Sequence, residues 1–132
     1  MAGKDITACT MKIKQMFKSI GYAGRGLFYV LKHEQNFRIE CASAIAILVV
    51  SFYFGISRAE FIIVLLLIVL VLMLELLNSA LEKFVDLLKP RLHTQVGVLK
   101  DIMAAMVLIA SVGAAIIGII IFWPYFIETF FR

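Results

Sequence analysis

Four polar residues at helical spacing are the first candidates for chemistry in this chain. They are Glu75, Asn78, Glu82 and Asp86. Successive residues of an α-helix are rotated by about 100°, so side chains at these positions fall on one narrow stripe. Three carboxylates and an amide therefore share one helix face, and groups of this kind can bind a divalent cation or accept a proton.

The stripe follows directly on an apolar run from Phe61 to Leu74 that contains no polar side chain. A carboxylate placed there lies at or inside a hydrocarbon layer, where an unpaired charge costs at least ~2.5 kcal/mol. Acidic residues in such positions are candidate functional residues. The alternative is that Glu82 and Lys83 begin the solvated end of a helix that leaves the membrane, which explains Lys83 well and Glu75 poorly.

The elements that must position the stripe are membrane-spanning helices. The chain has 132 residues, of which 63% are hydrophobic and 17% charged. Three apolar runs approach or exceed the ~20 residues that span a hydrocarbon core of ~30 Å. A soluble domain of this size would instead bury one core behind a polar exterior. The composition therefore predicts an all-α integral membrane protein.

We predict a single membrane domain over residues 1–132, with an amphipathic surface helix and three spans. The predicted ranges are 11–31 for the surface helix, 37–56 for the first span, 61–88 for the second span with its cytoplasmic extension, and 102–123 for the third. Apolar and basic residues alternate at helical spacing over 11–31, which is typical of a helix at a membrane interface. Glycines from Gly21 to Gly26 predict a bend there or a close approach to the backbone.

The distribution of basic residues predicts the orientation. Seven of the 13 Lys and Arg residues precede Cys41, where the apolar part of the first span begins, and four lie between Leu74 and the third span. The positive-inside bias places the N-terminus and the segment from Glu75 to Asp101 in the cytoplasm, and the C-terminus outside. Because this charge lies at membrane borders and forms no separate basic domain, we expect no nucleic-acid partner.

Lys100 and Asp101 precede the third span, so they should share a membrane border with the Glu75 stripe. Carboxylates, a divalent metal and a lysine are the groups that phosphoryl transfer uses. Glu34 could share a cation with Glu82 if folding brings the two together. An ion-coupled transporter could use the same acids, so residue types leave both functions open. Three spans are too few to enclose charged chemistry in one protomer, which predicts an oligomer.

The pattern ELLNSALEKFVD from Glu75 to Asp86, followed by His93 and by KDIMAAMVL from Lys100, resembles the signature of the bacterial diacylglycerol kinase family. That family includes the undecaprenol kinases. The resemblance covers Gly21 to Gly118 and includes EQNFRIE at Glu34 to Glu40. It implies a homotrimer in the bacterial cytoplasmic (inner) membrane, with active sites between protomers. It also implies transfer of the γ-phosphate of ATP to a membrane lipid, with Mg²⁺ as cofactor.

The resemblance implies roles for individual residues. Glu75 would be the catalytic base, and Glu34 and Glu82 would bind the metal. Nucleotide contacts are implied for Tyr22, Glu34, Glu82, His93, Lys100 and Asp101. Supporting roles are implied for Asn78 and Asp86. Lipid contacts are implied for Gly21, Gly26, Asn36, Arg38 and Glu40.

The acceptor that we expect is diacylglycerol, which would give phosphatidic acid, and the alternative is undecaprenol, which would give undecaprenyl phosphate. Gln15, Gly24 and Gly118 depart from the pattern of Gram-negative diacylglycerol kinases, which has a basic residue, an aromatic residue and a tryptophan there. The segment IIFWP near the C-terminus resembles the undecaprenol kinase branch. The alternative to a lipid kinase is a protein of another class, a non-enzymatic small membrane subunit. That function would leave Lys100 and Asp101 without a role.

Overall fold

The computed structural model describes the backbone of residues 2–88 and 93–131, and the side chains of 14–87 and 97–131. Within these ranges the chain forms helices and no strand. The helices are α1 (Ala2–His33), α2 (Gln35–Phe54), α3 (Arg58–Leu88) and α4 (His93–Phe130). The all-α prediction is therefore confirmed. Pro90, which the sequence indicates as the end of the second helix, lies outside the described residues.

The first helix, α1, forms a compact unit by itself. It runs without interruption through Gly21–Gly26, where the sequence predicted a bend or a close approach. Glycine permits a bend without enforcing one, which explains why the helix can continue. Around Tyr22, the Arg25 guanidinium lies 4.6 Å and the Lys18 ammonium 5.9 Å from the ring centroid. Aromatic and basic side chains on one helix suit a membrane surface.

The other three helices form a second compact unit, in which α3 packs against both α2 and α4. Each of the three is long and apolar enough to cross a membrane, over Gln35–Phe54, Arg58–Leu87 and Gly97–Phe130. The buried apolar core is small and contains Phe37, Val64, Val85, Met103 and Ile121. Most other large apolar side chains of these helices are exposed. A protein with this surface requires lipid, or other protein helices, around it.

The turn between α2 and α3 is tied to the far end of α4. Gly55 ends α2 in the left-handed conformation, with φ of 61°. Ser57 and Glu60 then cap α3 reciprocally, because the Ser57 N–H donates to Glu60 Oε2 at 2.9 Å and the Glu60 N–H donates to Ser57 Oγ at 3.3 Å. The Tyr125 hydroxyl donates to Glu60 Oε2 at 2.6 Å. These bonds fix the end of the unit that lies farthest from the Glu75 stripe.

Candidate active site

Four glutamates from α2 and α3 come together where α2 begins and α3 approaches its end. Glu34 occupies the N-cap position of α2, without a capping bond from its side chain, and Glu40 lies within the first turns of that helix. Glu75 and Glu82 are separated by about two turns of α3. The negative charges of Glu34 and Glu82 act on Glu75, and that of Glu75 acts on Glu40. We call these four residues the carboxylate cluster.

Glu75 is the most deeply buried member of the cluster, with 3% of its surface exposed. Ser79, one turn farther along α3, is buried to the same degree. Burying a carboxylate among other carboxylates is costly unless a cation or hydrogen-bond donors compensate. The position of Glu75 is therefore typical of a site that binds a cation or a hydrogen-bond donor.

Two lysines lie at the edge of the cluster. Lys83 Nζ lies 3.0 Å from Glu34 Oε1, which joins α3 to the start of α2. Lys100 Nζ lies 3.8 Å from Glu82 Oε1 and 3.5 Å from Asp86 Oδ1, which joins α4 to α3. All of these side chains are partly exposed, and exposed ion pairs contribute about 0–1 kcal/mol. A lysine can therefore leave its carboxylate for a phosphate at little cost.

Asn78, Glu82 and Lys100 also line one narrow crevice between α3 and α4, together with the apolar residues Leu81, Val85, Leu99 and Met103. The predicted supporting amide thus lies beside a predicted metal ligand and a predicted nucleotide-binding lysine. Asp86 joins this group through its ion pair with Lys100. Asp101 is exposed on α4, and its side chain points about 100° away from that of Lys100.

The remaining predicted residues are distributed outside the cluster. Asn36 and Arg38 are exposed in the first turns of α2, near the cluster's Glu34 and Glu40. Tyr22, Gly21 and Gly26 lie on α1, which is described by itself, so their contacts with nucleotide or lipid stay predictions. The side chain of His93 lies outside the described side chains.

The carboxylate oxygens of the cluster suit a cation that binds together with a substrate. Among the described residues there is no group of three His, Cys, Asp or Glu side chains arranged to hold a metal ion. Mg²⁺ is commonly held by one or two carboxylates while substrate phosphates and water complete its coordination. Glu34 and Glu82, which both act on Glu75, match that requirement. The residues present therefore fit Mg²⁺ bound together with a polyphosphate.

An apolar groove with a volume of about 540 Å³ lies between α2, α3 and α4. Glu40 and Ser43 are the polar residues that α2 contributes to its lining. Glu40 Oε2 is buried and has no hydrogen-bond partner among the described residues. The groove is thus in contact with the carboxylate cluster through Glu40.

Two features of the site were missed by sequence reasoning. Lys83 was interpreted only as part of a solvated helix end, whereas it pairs with Glu34. The groove was not anticipated, because its lining comes from three helices and contains no polar motif. The available signal was the alanine, glycine and serine residues of α2 and α4, since small residues leave space between helices.

Comparison with known proteins gives a consistent result. The family model for prokaryotic diacylglycerol kinase matches residues 21–122. The undecaprenol kinase of Bacillus subtilis is 38% identical over 113 residues, which cover 86% of this chain and 92% of the relative. The diacylglycerol kinase of Haemophilus influenzae is 35% identical over 111 residues, covering 84% and 92%. That of Escherichia coli K12 is 30% identical over 117 residues, covering 89% and 96%.

Proposed function

Because this chain belongs to the prokaryotic diacylglycerol kinase family and is a lipid kinase, we propose that it transfers the γ-phosphate of ATP to the hydroxyl of diacylglycerol, forming phosphatidic acid. The observation that carries this proposal is the position of Glu75. It is a buried carboxylate among three others, at the end of an apolar groove that reaches into a membrane-spanning unit.

Glu75 acts as the general base in this proposal. Its carboxylate takes the proton from the lipid hydroxyl, and the oxygen attacks the γ-phosphorus of ATP. A new P–O bond to the lipid forms while the bond to the bridging oxygen of the β-phosphate breaks, which releases ADP. Glu40 supports the acceptor, since its buried and unpartnered Oε2 can accept a hydrogen bond from a lipid hydroxyl. General bases typically contribute factors of ~10² to 10⁴ to the rate.

The nucleotide lies on the opposite side of the carboxylate cluster. Glu34 and Glu82 would hold Mg²⁺, which when bound neutralises part of the charge on the phosphates. Lys100 exchanges its carboxylate partners for a phosphate, which its weak and partly exposed ion pairs permit. Asn78 and Asp86 position Glu82 and Lys100 before the nucleotide binds. Tyr22, His93 and Asp101 complete the proposed nucleotide contacts.

The active enzyme is a homotrimer in the bacterial inner membrane, with the carboxylate cluster on the cytoplasmic side where ATP is available. The support is the exposed apolar surface of the three spans, together with the partly exposed charged side chains at the edge of the carboxylate cluster. A second protomer would cover such a site and exclude water from it. Gly21, Gly26, Asn36 and Arg38 would contact the lipid headgroup near this border.

A second acceptor is supported by one specific observation. The undecaprenol kinase of Bacillus subtilis is 38% identical to this chain over 92% of its own length. Undecaprenol also carries a terminal hydroxyl on an apolar chain, so Glu75 would act on it in the same way. Undecaprenyl phosphate would then be the product.

The proposal is tested with purified protein in mixed micelles that contain Mg²⁺, labelled ATP, and equal amounts of diacylglycerol and undecaprenol. The expected product is labelled phosphatidic acid, with the label absent when Mg²⁺ is replaced by a chelator. Preferential labelling of undecaprenol would transfer the function to the second acceptor. No label in either lipid would overturn the proposal.

A further inference from the structure

We propose that α1 binds anionic phospholipids of the membrane that carries the protein, through basic side chains that lie along one stripe of the helix. The residues of this basic stripe are Lys14, Lys18, Arg25 and Lys32. The inference goes beyond the proposed kinase reaction, because it concerns lipids that are bound without being phosphorylated. It can therefore be tested without ATP and independently of that reaction.

The spacing of the four basic residues places them on one side of α1. Successive residues are rotated by about 100°, so the four positions fall within a sector of about 40°. From Lys14 to Lys32 the basic stripe is about 27 Å long. All four side chains are exposed, and residues 14–33 include no Asp or Glu. The basic stripe is therefore a positively charged surface without an acidic residue on the same segment of the helix.

The ring of Tyr22 lies beside two members of the basic stripe. The Arg25 guanidinium and the Lys18 ammonium lie 4.6 Å and 5.9 Å from its centroid. Cation–π contacts at exposed sites are weak, so both cations can also bind a phosphate group. The guanidinium of Arg25 presents parallel N–H donors that match two phosphate oxygens. A tyrosine ring itself suits the level of the lipid headgroups.

Exposed apolar side chains cover the side of α1 next to the basic stripe. They are Met16, Phe17, Ile20, Leu27, Phe28 and Leu31. Phe17 and Phe28 are rotated by about 40–60° from Lys14 and Lys32. A helix that buries this apolar side in the membrane brings the basic stripe to the level of the lipid phosphates, which long Lys and Arg side chains can reach.

The position of α1 in the chain favours a membrane lipid over a soluble polyanion. The first span, α2, begins at Gln35, two residues after α1 ends at His33. The C-terminal end of α1 therefore cannot leave the membrane border. The negative potential of anionic lipids extends about 10 Å from the surface at ordinary salt concentrations. Lys32 and Arg25, near this end of α1, are thus held where that potential acts.

The expected selectivity depends on the lipid headgroup. A Lys or Arg near an anionic surface should favour an anionic lipid over a zwitterionic one by about fivefold. The acyl chains contribute little to this preference, because the apolar side of α1 meets the same hydrocarbon with either lipid. The signature is therefore an enrichment of anionic lipid around α1 that depends on positive charge and decreases as salt is added.

The test uses the full chain in bilayers that contain equal amounts of phosphatidylglycerol and phosphatidylcholine. The reporter variant combines Trp123→Phe with Phe28→Trp, which moves the single tryptophan to the apolar side of α1. Bromine on the acyl chains of one lipid quenches a tryptophan that contacts that lipid. Quenching is measured with bromine on either lipid, and gives the ratio of the two lipid association constants. The inference predicts a preference for phosphatidylglycerol of at least about fivefold.

Arg25→Gln with Lys32→Gln removes the basic residues three and four positions from the reporter, and should bring the ratio close to one. Glutamine has a helix propensity similar to those of Lys and Arg, so circular dichroism should show unchanged helix content. Arg25→Lys with Lys32→Arg is the matched control and should keep the preference. A second reference is the wild-type Trp123, which is 60% exposed on α4 and should show a ratio near one.

Each other outcome overturns the inference. Equal quenching of the α1 reporter by both lipids would show that the apolar side alone holds α1 at the membrane. A preference that persists in the neutralised variant would show that the basic stripe is not its source. A preference that disappears when inorganic tripolyphosphate is added at constant ionic strength would assign the basic stripe to soluble phosphates. If neither lipid quenches the reporter, α1 does not lie on the membrane.

Discussion

Lys83 Nζ lies 3.0 Å from Glu34 Oε1, and this ion pair connects the N-cap position of α2 to the last turns of α3. The pair fixes one proposed metal ligand, Glu34, beside the helix that carries the proposed base, Glu75. It also means that Glu34 has a positively charged partner before any metal ion binds. Metal binding at Glu34 therefore involves competition with Lys83.

Replacing Lys83 with methionine should lower the Mg²⁺ concentration required for half-maximal activity, because the competing cation is removed. The free energy of unfolding should change by less than ~1 kcal/mol, since the Lys83 side chain is 50% exposed. Mg²⁺ titrations of phosphate transfer measure the first effect. Lys83→Arg is the control and should keep the wild-type Mg²⁺ requirement; a higher requirement in Lys83→Met would contradict the competition.

Lys100→Met should raise the KM for ATP by about 10-fold or more, because a charge-assisted contact to phosphate typically contributes about 1.5–3 kcal/mol. The ion pairs of Lys100 with Glu82 and Asp86 are long and partly exposed, so the fold should be retained. Steady-state kinetics at saturating lipid provide the measurement. An unchanged KM would remove Lys100 from the nucleotide site.

Tyr125→Phe should loosen the turn between α2 and α3 without abolishing activity. The variant removes the 2.6 Å bond from the Tyr125 hydroxyl to Glu60 Oε2 and keeps the ring. Hydrogen–deuterium exchange at the N–H of Ser57 and through the start of α3 should become faster. Exchange near Glu75 should remain as in the wild type, since the change lies at the opposite end of α3. Faster exchange throughout α3 would show that this end is coupled to the carboxylate cluster.

The helical architecture could be predicted from the sequence because each helix is indicated by residues within a single segment of the chain. Apolar runs predicted helices long enough to span a membrane, and the three such helices are present. The spacing of Glu75, Asn78 and Glu82 predicted that the three side chains share one helix face. The helix α3 is continuous through all three residues, as that prediction requires. The resemblance of the segment from Glu75 to Asp86 to the diacylglycerol kinase family is confirmed by the match to the family model.

What the sequence did not provide depends on contacts between distant segments. The contact of Glu34 with Lys83 joins residues far apart in the sequence and requires α2 and α3 to pack. The groove is lined by small side chains of α2 and α4 and by larger apolar side chains of α3, and no single helix carries its pattern. The helix α1 continues through Gly21 to Gly26, because glycine lowers the cost of bending and does not by itself end a helix.

The most direct test of the account is the turnover of Glu75→Gln, with diacylglycerol as acceptor at saturating ATP and Mg²⁺. Glutamine keeps the size of the buried side chain and removes its capacity to accept a proton. We predict a fall in kcat by a factor of ~10² to 10⁴, with ATP binding and the assembled oligomer retained. Glu128→Gln, an isosteric change outside the carboxylate cluster, should keep wild-type turnover. Wild-type turnover in Glu75→Gln would contradict the role of Glu75 as the base.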